Sequence, residues 1–118
     1  MKKFIVVSLL LFLSAGIGFS KAKPITVKGY ILDNVCIKLN KKDLPACVAK
    51  YTKECALQPA CSESGYALYT DEGKLMPFTK NSSLRVKAFL KNNESTIKVS
   101  VAGEKTGKYL EIITIQNQ

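Results

Sequence analysis

The chain has 118 residues, with 18 Lys and Arg against 9 Asp and Glu, no Trp and, more telling, no His. Without histidine the usual general base, proton shuttle and commonest metal ligand are missing, so Ser-His-Asp and Cys-His catalysis are excluded within this chain. Two of the eighteen cations, Lys2 and Lys3, fall in an apolar leader, which leaves 16 against 9 acids on the remainder, one basic domain by length.

That leader, residues 1–20, reads as a secretory signal peptide. Lys2 and Lys3 form the charged start, Phe4 to Leu13 is an apolar run broken only by Ser8, and mostly small residues follow to Ser20. Gly18 and Ser20 suit a cut before Lys21, and Ser20 and Ala22 suit one two residues later. A spanning helix needs about 20 apolar residues, and Ser14, Gly16 and Gly18 interrupt this stretch before it gets there. No cysteine lies near the cut, which argues against a lipid anchor. The mature piece, residues 21–118, is expected outside the cytoplasm, periplasmic or extracellular.

Ile25, Val27, Gly29 and Ile31 alternate with Thr26, Lys28, Tyr30 and Leu32, the pattern of a first strand that ends at Asp33-Asn34. Val35 to Ser64 then changes character and holds every cysteine of the chain. Asp43 is placed to cap a helix with Leu44 and Pro45 in its first turn, and Ala46 to Glu54 is expected to continue it. Gln58-Pro59 should end or bend it, and Ser62 to Gly65 is turn-like.

Strand signals return at Tyr66 to Thr70. Asp71-Glu72-Gly73-Lys74 makes a hairpin connection to a short strand over Leu75 to Phe78, where Pro77 marks an edge. A short helix is expected over Leu84 to Lys91, with Asn81-Ser82-Ser83 as its start. Ile97 to Val101 alternates as a fourth strand, Gly103 to Gly107 is expected to turn the chain, and Tyr109 to Ile115 forms the last strand. In this order the elements match a five-stranded, oligonucleotide/oligosaccharide-binding (OB)-like Greek-key barrel: an all-β fold with minor helix and a cysteine-rich helical insertion between strands one and two.

The segments Gly29 to Cys36, Tyr51 to Cys61 and Ser64-Gly65-Tyr66 resemble a group of small exported bacterial proteins of unassigned function. Their pattern is G-x-x-x-D-x-x-C, a gap, H-T-x-x-C-A-x-x-x-x-C, then S-G-Y, closing with V-x-V-x-G (Val99 to Gly103 here) and an apolar last strand. The resemblance implies a secreted OB-like domain and carries no activity with it. Tyr51 stands where the pattern has histidine, and Cys47 is additional.

Cys36, Cys47, Cys55 and Cys61 are an even set in an exported chain, which points to two structural disulfides. If Ala46 to Cys55 were one helix, Cys47 and Cys55 would lie about 12 Å apart along its axis. A disulfide needs Cα atoms within about 7 Å. Cys36–Cys47 with Cys55–Cys61, or Cys36–Cys55 with Cys47–Cys61, both remain open. The alternative use of the four is a thiol-based metal or redox site. No C-x2-4-C knuckle and no C-x-x-C pair is present to support it, and no metal or cofactor is expected.

The acids Asp33, Glu54, Asp71 and Glu72 are scattered, and no phosphate-cradling glycine loop appears. The remaining candidate is a binding surface. Lys28 and Tyr30 share one face of the first strand, and Tyr69 is their expected neighbour on the second. With the spread of lysines this suggests an anionic partner, such as a glycan, a lipid head group or an acidic protein. Export argues against nucleic acid. The expected function is therefore a non-catalytic exported binding module.

Overall fold

The computed structural model describes residues 23–118; the leader and the two residues after it lie outside the described residues. Five strands form one antiparallel sheet, β1 (Ile25–Asp33), β2 (Tyr66–Thr70), β3 (Leu75–Pro77), β4 (Lys98–Thr106) and β5 (Tyr109–Asn117), in the order β3-β2-β1-β4-β5. Four short helices fill the β1–β2 connection: α1 (Asn34–Leu39), α2 (Leu44–Lys50), α3 (Lys53–Leu57) and α4 (Pro59–Glu63). A longer helix, α5 (Lys80–Leu90), links β3 to β4.

β1 is the central strand, and its alternation sets the core. Ile31 lies opposite Leu68 of β2, Gly29 opposite Val99 of β4, and Val27 opposite Val101. These pairs share one face of the sheet, where Ile31, Leu68, Val99 and Val101 are wholly buried with Val86 and Leu90 of α5 and Leu110 of β5. Gly29 is required by closeness. A Cβ there would stand 2.3 Å from the Tyr69 carbonyl oxygen and 2.7 Å from the Thr70 Cα.

The expected closed barrel is not formed; the sheet stays open between β3 and β5. Its edges meet at a parallel bridge between Phe78 and Leu110, at the Thr79 N–H, which donates to the Leu110 carbonyl at 3.1 Å, and at the Thr79 hydroxyl, which donates to the Glu111 carboxylate at 2.8 Å. The cause is local. β3 has three residues and ends on a proline, so it offers too little ladder to zip the seam. Side chains of α5 take over the exposed backbone of β5 instead. The Ser82 hydroxyl accepts from Ile112 N–H at 2.8 Å, and the Arg85 guanidinium donates to the carbonyls of Ile112 and Ile113.

Three other expectations change. The helix over Ala46 to Glu54 is broken into α2 and α3 at Tyr51, whose backbone is extended. The Thr52 hydroxyl caps the new start by accepting from Cys55 N–H. The turn over Gly103 to Gly107 is instead strand to Thr106, because a bulge between Ala102 and Gly103 absorbs the irregularity. Gly107, at φ 66°, makes the actual hairpin. α5 begins at Lys80, ahead of Asn81-Ser82-Ser83, since Thr79 is the residue that caps it. Helices α1 and α4 were not anticipated. The signal for α1 was present in Asp33, whose carboxylate accepts from Cys36 N–H at 2.8 Å.

Candidate functional site

Two places on the molecule gather chemically capable side chains, and they differ in what they can do. The first is buried. Asp33, at the end of β1, has no solvent exposure, and its carboxylate receives the Tyr51 hydroxyl at 2.5 Å besides the Cys36 N–H. The same Tyr51 oxygen accepts from the Asp33 backbone N–H at 3.1 Å, so tyrosine and aspartate lock each other. Tyr66 lies beside them and donates to the Ala56 carbonyl at 2.6 Å.

These tyrosines are held protonated. Burial, then the hydrogen bond to Asp33 and its charge, drives Tyr51 far above the ordinary tyrosine value. Burial and Asp33 push Tyr66 up to about 12. The Cys61 thiol is raised too, by burial first, then by Asp33 and by Cys55. A raised thiol attacks more slowly and is a poorer metal ligand than an ordinary one. Nothing reaches the aspartate from solvent, and among the described residues no buried side-chain nitrogen or oxygen lacks a partner. This cluster has the character of a fastening.

Residues of the segments Gly29 to Cys36, Tyr51 to Cys61 and Ser64-Gly65-Tyr66 come together around this cluster. Gly29 permits close strand approach, Asp33 caps α1, Tyr51 binds Asp33, and Thr52 caps α3. Gly65 takes φ 88° beside Asn34, whose N–H bonds the Gly65 carbonyl at 3.0 Å, and Tyr66 ties α3 to β2. Each residue has a role in holding the insertion on the sheet.

The four cysteines occupy the same region. Cys36 on α1 is bonded to Cys47 on α2, joining the first two helices of the insertion. Cys55 is an exposed thiol on α3, and Cys61 a partly exposed one on α4. Because of the break at Tyr51, Cys47 and Cys55 do not lie on one continuous helix. Among the described residues, no three Cys, Asp or Glu side chains gather where an ion could sit.

The second place is open to solvent. Tyr30 and Tyr69 are directly opposed across β1 and β2, both half-buried and on the sheet face opposite to the Ile31–Leu68 core pair. Pro45 and Val48 of α2 form the facing wall of a groove of about 320 Å³, with Asp71 and Gly73 of the β2–β3 turn at its mouth. Lys28 shares the face of Tyr30 two residues away, and it lines an adjoining groove of about 550 Å³ with Lys74 and Lys105. On the other side, the exposed Lys98 lies opposite Tyr30 in β4, its ammonium 5.7 Å from the ring centroid.

Lys28, Tyr30 and Tyr69 thus fall on one face, and the structure adds neighbours that the sequence did not single out. Lys98 comes from pairing with a strand about seventy residues away, and Pro45 and Val48 from the fold-back of α2. Only for Lys98 was there a signal, its outward position in an alternating strand. The chain matches no family model, no curated protein and no solved structure.

Proposed function

We propose that this protein is an exported, non-catalytic binding module that takes an anionic glycan in the Tyr30–Tyr69 groove. The observation that carries the reading is the opposed tyrosine pair, walled by α2 and flanked on both sides by lysines. A shallow aromatic floor suits the flat face of a sugar ring, and a rim of ammonium groups suits carboxylate or sulfate substituents. The chemistry is recognition, since no exposed nucleophile–base pair stands at the groove.

The finer fold reading supports the choice. The order β3-β2-β1-β4-β5, with its two edges touching in parallel, supports reading the open sheet as OB-like. In that architecture the sheet face beside the loop between strands one and two binds oligosaccharides and oligonucleotides, and here that loop supplies α2. Export, inferred from the leader and from the resemblance of the cysteine segment to small exported proteins, favours the saccharide.

The test is retention of the mature chain on an immobilised acidic polysaccharide, polygalacturonate, over a salt gradient. Any basic protein binds polyanions weakly, so the tyrosines decide the matter. Tyr30→Ala and Tyr69→Ala should each weaken retention about tenfold, or ~1.4 kcal/mol, at unchanged net charge and unchanged circular dichroism. Elution of both variants with the wild type would reject the groove as the site.

A further inference from the structure

The Cys36–Cys47 bond leaves two cysteines on consecutive helices of the same insertion. Cys55 and Cys61 occupy equivalent places: each follows its helix cap by three residues, Thr52 for α3 and Gln58 for α4. The extended Gln58 and the following Pro59 make the joint that folds the two helices against each other. Cys55 faces solvent, with its sulfur taking the Thr52 hydroxyl at 3.2 Å. Cys61 is partly covered, on the side of Asp33.

We infer that Cys55 and Cys61 are the site of a second disulfide, formed after export, which closes the α3–α4 corner over the Asp33 cluster. The partner in the reaction is a disulfide of the thiol-oxidising class found outside the cytoplasm. Cys55, the accessible thiol, attacks that disulfide as thiolate and gives a mixed disulfide, releasing one thiol of the oxidant. Cys61 then attacks the Cys55 sulfur, and its proton ends on the second departing thiol. Two thiols of this chain are oxidised by two electrons, and one disulfide of the oxidant is reduced to two thiols.

The pairing also has an order of reversal. Cys55 is exposed, whereas the first bond joins a half-buried Cys36 to a buried Cys47, so a limiting reductant opens the second bond first. This inference rests on export and is independent of the tyrosine groove.

The experiment uses the whole chain with its leader, exported by a bacterial host, then alkylated under denaturing conditions without reductant and cleaved with trypsin. Cleavage after Lys53 and Lys74 puts Cys55 and Cys61 on one peptide, 54–74, while Cys36 and Cys47 fall on 29–38 and 43–50. The expected product is peptide 54–74 unlinked, unalkylated and two hydrogens lighter than its reduced form, with 29–38 joined to 43–50. Graded reductant should make 54–74 alkylatable before the 29–38/43–50 pair separates. Peptide 54–74 carrying two alkyl groups at the outset, or joined to either of the other two, overturns the inference. Export failure is read separately, as retention of residues 1–20 in the intact mass.

Discussion

The Tyr51 hydroxyl serves Asp33 twice, as donor to the carboxylate and as acceptor for the backbone N–H of the same residue. A wholly buried carboxylate costs several kcal/mol unless such partners replace water, and the Cys36 N–H supplies the third. The arrangement makes the fold sensitive to high pH. Tyr66 ionises near its ordinary value of 10.0 when unfolded and near 12 when folded, and Tyr51 is displaced further in the same direction. A raised folded value means the stabilising contribution is complete below pH 10 and is lost as pH climbs toward 12 and beyond, because the unfolded chain gives up protons first. Urea midpoints should be flat below pH 9 or so on this account and fall steeply above about 10. A Tyr66→Phe variant should show a shallower fall. Equal slopes for wild type and variant would show that Tyr66 does not carry the effect.

At the scale of elements, the insertion joins the core through Ile37, Cys47 and Ala56 and is also tied to the rest of the molecule by polar fastenings. Lys53, in the first turn of α3, donates its ammonium to the carbonyls of Asn92, Asn93 and Ser95 at 2.9, 3.3 and 2.8 Å, and to the Ser95 hydroxyl at 3.2 Å. One charged side chain thereby collects the loose carbonyls between α5 and β4 and ties them to α3. Lys53→Met keeps the aliphatic stem but takes the charged donor from those carbonyls, of which Asn92's keeps its bonds from Ser95. It should cost about 1–3 kcal/mol in urea unfolding, with faster amide exchange at residues 91–96. A cost within error, with unchanged exchange, would show that the loop holds without the lysine. The lysine count suggested a solvated, functionally available surface, and at Lys53 the charge is consumed internally.

For the whole molecule, the described chain is one open sheet with its seam plugged by α5, and a helical layer fixed by Asp33 and by Cys36–Cys47. The insertion contributes Pro45 and Val48 to the groove, so its order and the shape of that groove are coupled. Removing the Cys36–Cys47 link, with Cys36→Ala and Cys47→Ala together, should lower stability by about 2–4 kcal/mol. Because α2 is the helix released, polysaccharide retention should fall with it, although no groove residue has been changed. Retained binding by a destabilised double variant would separate the groove from the staple. Among the described residues no helix is long and apolar enough to cross a membrane.

Most strand positions were legible along the chain, the exception being the run past Gly103, which stays strand to Thr106. Periodicity and composition are local properties, written within a few residues of where they act. The alternation around Gly29 and Tyr30 placed Lys28 and Tyr30 on one face of the sheet, and Asp43 marked the start of α2. What lies far apart in sequence had to come from the fold. The break at Tyr51 follows from a hydroxyl reaching back to Asp33, the partner of Cys36 from how α2 folds over α1, and the groove wall from a helix meeting a strand face. Closure of the sheet was settled in the same way. Three residues and a proline in β3 make too weak an edge, and a helix with a serine and an arginine in the right turns satisfied β5 first.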